Sequence, residues 1–433
     1  MLTLVDVTDE TGDLTPFLPR PDAVAVAEVH DRVAAILAAV RERGDAAVGE
    51  YAARLDGWDG AAWEVGPADR KAALDGLEPA LATALERAAE QVRWFHERVR
   101  PVDWRAEHNG ARLGVGYRPV ARAGVYVPGG LAVYPSTVLM TVIPARVAGV
   151  DEIVLCSPAR GGAVNPAILA AAEMLGVDRV FGIGGAQAIA AMAYGTGTVP
   201  PCDKIVGPGN AYVAEAKMQV AAAGVCGIDA RAGTTEVAII ADGTADPRLV
   251  ACDLVAQAEH DPDAVCLLIT PDRDLIVRTE EALAAEVAAT RHRERVTTAL
   301  QRHGVALLVH DLDQAVAAAN TFAAEHLEIQ TAQPAAVAER INYAGGVFVG
   351  HTTPVALGDY CAGPNHTLPT GGSARFSGGL STEDFLVRVN WVEYGEDALA
   401  ALAPTVDALA VAEDLPAHAR AVQVRLDQRR RGA

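Results

Sequence analysis

Hydrophobic positions follow two regimes along the chain. Across residues 1–120, apolar residues recur at helical spacing among Glu and Arg, most clearly over 23–43 and 67–98, and predict a charged helical scaffold without evident chemistry. From Ala121 the pattern becomes short apolar runs alternating with helical segments, with strands expected at 124–127, 152–156, 179–182 and 204–206. After a glycine-containing break at 231–235, strands are expected at 237–241, 265–270, 305–310 and 346–349. Alternation of this kind marks βαβ units, and two sets of strands predict two doubly wound lobes. Past Ser381 the pattern is helical again, with Pro404 and Pro416 punctuating Ala-rich segments, which predicts a small helical module. No sequence repeat is clear enough to establish duplication.

Composition agrees with an α/β class. The 433 residues exceed one ordinary core, and 51% apolar with only 5% aromatic residues suits short parallel strands under Ala-rich helices. A formal charge of −20 would repel a phosphate backbone, which excludes nucleic acid as a partner; the basic Arg429, Arg430 and Arg431 read as a solvated tail. The six cysteines form no CxxC pair and several sit in apolar runs, so they read as buried thiols of a reducing compartment. With no leader-like h-region and no apolar run of bilayer length, no membrane contact and a cytoplasmic location are expected.

Glycine turns supply the first candidate chemistry. Phe181-Gly182-Ile183-Gly184-Gly185-Ala186-Gln187 joins a strand to a helix, leaving helix-terminal amides available to an anion. The dinucleotide fingerprint wants a third glycine where Gln187 stands, so this segment alone serves equally as a tight turn. Val206-Gly207-Pro208-Gly209-Asn210 and Val127-Pro128-Gly129-Gly130 are similar junctions, and three such turns in one lobe favour a nucleotide crevice.

Candidate ligands and proton carriers are scattered. Gln257 and His260 share a helix face at i, i+3, where a lone histidine is ordinarily a helix-end cap. Asp359 and His366 occupy a Gly- and Pro-rich loop. Glu413 and His418 are five residues apart and would diverge by about 140° on one helix, unless Pro416 starts a new one. These oxygen and nitrogen donors suit zinc without thiolates. Glu325-His326 opens an expected strand at 327–330, pairing a carboxylate that can activate water with an imidazole that can take an alcohol proton; such a dipeptide is more commonly a surface pair. The remaining histidines have charged, loop or strand-end settings and no assigned role.

Seven motifs, in order between about Arg118 and His418, resemble those of the histidinol dehydrogenases: Tyr126-Val127-Pro128-Gly129-Gly130, Gly184-Gly185-Ala186-Gln187-Ala188, Val206-Gly207-Pro208-Gly209-Asn210, Gln257-Ala258-Glu259-His260, Ala324-Glu325-His326-Leu327, Gly358-Asp359-Tyr360, and Asn365-His366 followed by Leu368-Pro369-Thr370. The resemblance implies zinc ligands Gln257, His260, Asp359 and His418, the last from the partner subunit of a homodimer. It implies NAD contacts at Tyr126, Gln187 and Asn210, and substrate contacts at Thr235, His366 and Glu413 besides His326 and the ligands. Glu325 and His326 become the acid/base pair. The activity implied is oxidation of L-histidinol to L-histidine through bound histidinal, with two NAD reduced per turnover, the last step of histidine biosynthesis.

The fold implied is α/β, two Rossmann-like lobes with small helical N- and C-terminal modules. Its expected division is residues 1–25 as N-terminal module; 26–128 with 237–380 as the first lobe, carrying zinc and catalytic residues; 129–236 as the second, nucleotide-binding lobe; and 381–433 as a helical module reaching the partner subunit. The chain departs from the family pattern at Ala232-Gly233-Thr234-Thr235-Glu236, where many members have Ala-Gly-Pro-Ser-Glu; Thr235 keeps the hydroxyl and adds a methyl. Gly350-His351-Thr352-Thr353-Pro354 is also less typical. The nearest rival is a paralogue oxidising another amino alcohol or a sulfonated diol. A zinc hydrolase would not require the glycine turns, and a non-catalytic nucleotide binder would not require Glu325-His326.

Overall fold

A computed structural model describes residues 1–19, 26–57, 62–129, 133–159, 161–230 and 233–432. Residues 23–25 of the first expected helix, Gly130, and Arg231 with Ala232 lie outside the described residues, as do the side chains of Arg429, Arg430 and Arg431.

Among the described residues fourteen strands form three sheets. In chain order they are β1 (Thr3–Asp6), β2 (Trp104–His108), β3 (Ala111–Pro119), β4 (Arg122–Tyr126), β5 (Glu152–Cys156), β6 (Arg179–Phe181), β7 (Lys204–Val206), β8 (Gly227–Ile228), β9 (Glu236–Ala241), β10 (Val265–Thr270), β11 (Gly304–Leu308), β12 (His326–Gln330), β13 (Gly346–Val349) and β14 (Leu386–Tyr394). One parallel sheet runs β1-β11-β10-β9-β12-β13, another β6-β5-β4-β7-β8. Counting β9 to β13 and β4 to β8 as first to fifth in their own lobes, both lobes have the order 3-2-1-4-5. The duplication invisible in sequence is thus explicit in topology.

The central strands β9 and β10 are buried at every position, as expected where helices cover both sheet faces. Alternation then divides their side chains between two cores: Val237, Ile239 and Leu268 pack on one face, Ala238, Ile240 and Leu267 on the other.

The α/β class with two parallel lobes is observed, and several boundaries differ from expectation. β4 pairs with β5 and β7, so residues 122–128 belong to the lobe of the five-stranded sheet, not to the other lobe as expected. Helices Val26–Arg43 and Asp45–Leu55 also join it, because Val33, Ile36, Leu37, Val40, Ala47 and Val48 bury against Phe181, Ile183 and Ile189. β1 is not a separate module but an edge strand of the other sheet, in register with β11 from Thr3↔Val305 to Asp6↔Leu308.

The chain divides into two compact units, one comprising Arg100–Pro119 with Leu386–Ala433 and the other the remainder. In the smaller unit β14 pairs antiparallel with β3, and β3 with β2. Residues 1–120 are therefore not wholly helical, nor is the chain past Ser381. β2 is exposed at all five positions and β14 at all but its first, so neither shows the hydrophobic alternation of a half-buried strand. Helices Glu396–Ala412 and Pro416–Gly432 complete this unit. Cys156, Cys202, Cys226 and Cys266 are buried as expected, whereas Cys252 is exposed and Cys361 half-buried. Among the described residues no helix is long and apolar enough to cross a membrane.

Candidate active site

The proton-carrying candidates gather at the amino edge of β9 and β12, the adjacent strands between which the order of the six-stranded sheet reverses. The preceding helix Leu312–Phe322 ends on Ala323, left-handed at φ 53°, which turns the chain into Glu325 and His326. The Gly345 and Gly346 amides donate to the carbonyls of Ala324 and Glu325 at 2.9 Å, fixing that entry. A Cβ on Gly345 would stand 2.5 Å from the Glu325 carbonyl oxygen, so only glycine allows this approach.

Glu325 Oε2 accepts from the Thr235 hydroxyl at 2.5 Å and from the Glu236 amide at 2.9 Å. The hydroxyl has one proton, so towards Gln257 it accepts, and Gln257 Nε2 donates to it at 2.7 Å. That network fixes the Gln257 carboxamide with its oxygen turned away from Thr235. His326 is 5% exposed, and its Nδ1 donates to the Glu236 carbonyl at 3.1 Å. In the neutral ring the other nitrogen, Nε2, carries the lone pair; it is buried, without a hydrogen-bond partner among the described residues, 3.7 Å from Asp359 Oδ1.

Asp359 ends the short helix Val355–Tyr360 and is shared between imidazoles, for His260 Nε2 lies 3.7 Å from its Oδ2 and His366 Nδ1 donates to its carbonyl at 2.9 Å. Burial lowers the His366 pKa, against the pull of Asp359. His366 Nε2 meets the Thr137 hydroxyl at 3.2 Å, and Asn365 donates to the Met140 carbonyl. Thr137 and Met140 belong to helix Pro135–Ala148, which follows β4, so the amino edge of one sheet faces the carboxyl edge of the other.

Glu236 was not anticipated as a site residue. It is 1% exposed, and burial, aided by the neighbouring Glu325 charge, pushes its pKa up to about 7 although the Gly371 amide donates to its Oε1 at 2.8 Å. Its Oε2 is buried without a partner. The available signal was a carboxylate opening the wholly apolar run Val237-Ala238-Ile239-Ile240.

At the carboxyl edge of the five-stranded sheet the expected free amides are already engaged. Gly184 N–H donates to Asp56 Oδ2 and Gly185 N–H to the Tyr126 hydroxyl, both at 3.1 Å, while Gln187 Nε2 reaches the same Asp56 oxygen. Tyr126 and Gln187 are buried; Asn210 is exposed and uses its Oδ1 to cap helix Ala211–Ala222 at Tyr212 and Val213. Gly207 has φ 115° and would place a Cβ 2.1 Å from the Tyr126 carbonyl oxygen, so no other residue fits. Asp229 accepts from its amide, Lys217 donates to its carbonyl, both at 2.8 Å, and the two side chains form a buried ion pair.

Glu413 and His418 belong to the smaller unit. Glu413 caps the C-terminus of Glu396–Ala412, Pro416 opens the next helix, and both site candidates are exposed. Among the described residues no three His, Cys, Asp or Glu side chains close on one metal. The larger unit offers instead one imidazole, one carboxylate and one carboxamide.

Comparison with known proteins gives a consistent result. A family model described as histidinol dehydrogenase matches residues 20–426. A histidinol dehydrogenase of Ralstonia nicotianae is 49% identical over 410 residues, covering 93% of this chain and 92% of that protein. One of Nocardia farcinica is 48% identical over 430 residues, covering 97% and 96%. The crystal structure of histidinol dehydrogenase from Elizabethkingia anophelis superposes with a TM-score of 0.93 at 32% identity, covering 99% of this chain and 98% of that one.

Proposed function

Because the chain belongs to the histidinol dehydrogenase family and is an oxidoreductase, we propose that it oxidises L-histidinol to L-histidine in two steps at one site, reducing two NAD. One observation carries this reading: the buried His326 Nε2, without a partner among the described residues, faces Asp359 beside a carboxylate held by two donors.

In the first oxidation His326 takes the hydroxyl proton at Nε2 while its Nδ1–H stays on the Glu236 carbonyl, which keeps the ring from turning. NAD, when bound, accepts the hydride of each oxidation. In the second, Glu325 removes a proton from the water that adds to the aldehyde carbon. Its Oε2 is occupied by Thr235 and Glu236, so the water addresses Oε1. As the water adds, His326 returns its first proton to the aldehyde oxygen, and its freed Nε2 then takes a hydroxyl proton as the second hydride leaves.

The donor set fits zinc. Two ligands about 2.1 Å from a tetrahedral metal stand ~3.4 Å apart, close to the 3.7 Å between His260 Nε2 and Asp359 Oδ2. Gln257 would add its carboxamide oxygen, and His418 of a second copy the fourth position. Zinc, when bound, supplies a cationic centre that orients the substrate's nitrogens and takes no electrons. His366 and Glu413 are assigned to the substrate along with Thr235. In support of a homodimer, β14 of the smaller unit exposes Val387, Val389, Trp391, Val392 and Tyr394.

NAD is assigned to the carboxyl edge of the five-stranded sheet at Tyr126, Gln187 and Asn210. Asn210 is exposed, whereas Tyr126 and Gln187 are buried and already hold the Gly185 amide and Asp56. Incubating zinc-loaded protein with L-histidinol and NAD tests the proposal: two NADH per histidine are expected, and no NADH refutes it.

A further inference from the structure

Below the amino edge, β12 carries a second polar group on the same face as His326, since residues two apart in a strand point the same way. Glu328 is 1% exposed and Gln330 3%, both beside Asp253 of helix Pro247–Ala258. Gln330 Nε2 donates one proton to Asp253 Oδ2 at 2.9 Å and the other to Glu328 Oε2 at 3.0 Å. Burial raises the pKa of both carboxyl groups, and their mutual repulsion raises that of Glu328 further. Two such carboxyl groups drawn to one amide favour a neutral member in the pair. The remaining oxygen, Glu328 Oε1, accepts from the Val355 amide at 2.8 Å.

Each of these anchors lies one helical turn from a candidate ligand. Val355 is the first residue of the helix that ends with Asp359 beside Tyr360, and Asp253 precedes Gln257 by four positions on its own helix. Glu328 itself lies two residues from His326. We propose that Glu328 and Asp253, bridged by Gln330, are positioning residues that tie the Asp359 helix and the Gln257 helix to the catalytic strand. The pair touches neither substrate nor metal; it sets where Asp359 and Gln257 stand. Its part in metal retention rests on the zinc reading above, whereas the tie between helices does not.

The test uses the full chain with Glu328→Gln, which is neutral yet still accepts from Val355 and can donate to Asp253, and Glu328→Leu, which does neither. In metal-free protein, amide hydrogen exchange over residues 355–360 is expected to stay near wild type in Glu328→Gln and to quicken at least tenfold in Glu328→Leu. With zinc added, loss of metal to a chelator should follow the same order, about 10- to 100-fold faster in Glu328→Leu, as for other groups that orient metal ligands. The KM for NAD should not move. Wild-type exchange in Glu328→Leu overturns the proposal, and so does Glu328→Gln behaving like Glu328→Leu, since a neutral side chain would then not suffice. Should Glu328→Leu fail to fold, Asp253→Ala at its half-exposed position must show the faster exchange, and wild-type behaviour there refutes the tie. A wild-type protein that takes up no zinc would overturn the zinc reading, with the exchange result still deciding the tie.

Discussion

The two parallel sheets share one strand order but differ at the facing edges in whether the groups the sequence singled out are already paired. At the carboxyl edge of the five-stranded sheet, the glycine turns are closed on themselves: Gly184 on Asp56, Gly185 on Tyr126, Gly207 between Asp229 and Lys217. At the amino edge of the six-stranded sheet, groups converge and stay open, with His326 Nε2 and Glu236 Oε2 buried and unpartnered. Buried polar atoms without partners cost roughly 1–3 kcal/mol each, so a fold keeps them where a ligand or a proton transfer uses them. On the reading proposed above, the open edge carries the proton transfers and the closed edge the nucleotide. The proton carriers thus stand at strand amino ends, whereas the nucleotide is assigned to the strand carboxyl ends usual in doubly wound sheets.

The largest effect should follow from removing the open base. His326→Ala is expected to lower kcat about 10²- to 10⁴-fold, and measured kcat within threefold of wild type would remove His326 from the proton work. At the closed edge the same scale of disruption should appear in stability. Lys217→Met leaves Asp229 buried and unpaired and should cost about 3–5 kcal/mol by urea unfolding. The double variant Lys217→Met with Asp229→Leu should recover most of it. A double variant no more stable than the single one would mean the pair does more than close the turn.

Glu236 offers an intermediate effect with a defined sign. Its folded pKa of about 7 lies above the ordinary 4.5, so between those values the folded protein holds a proton that the unfolded chain has released. Stability therefore falls as pH rises from about 4.5 through 7, by about 3 kcal/mol from this group. Glu236→Gln should flatten that slope in pH-dependent unfolding; an unchanged slope would assign the proton elsewhere. The smallest change is expected at Ala323, where glycine would relieve a left-handed alanine and raise stability by up to ~1 kcal/mol, read as a rise in Tm.

Much of this edge architecture was legible in sequence where the signal is local. The runs 237–241 and 265–270 read as strands because both faces are buried, and Glu325-His326 read as an element boundary because the apolar pattern restarts after it. Partners distant along the chain were not legible. Asp56 occupies amides 128 residues away, and β1 docks on β11 across some 300 residues, neither leaving any trace in periodicity. Glu328 looks like the polar position of an alternating strand, and only the packing of two helices over it turns it into a buried group. The antiparallel sheet of the smaller unit escaped notice because its outer strands bury almost nothing.

The central claim is that the reactive centre lies at the amino edge of β9 and β12. A zinc-edge anomalous difference map from crystals grown with zinc and L-histidinol tests it most directly. The account predicts one strong peak per chain, bonded to Gln257, His260 and Asp359 beside His326. A peak elsewhere, with those side chains unligated, would contradict it.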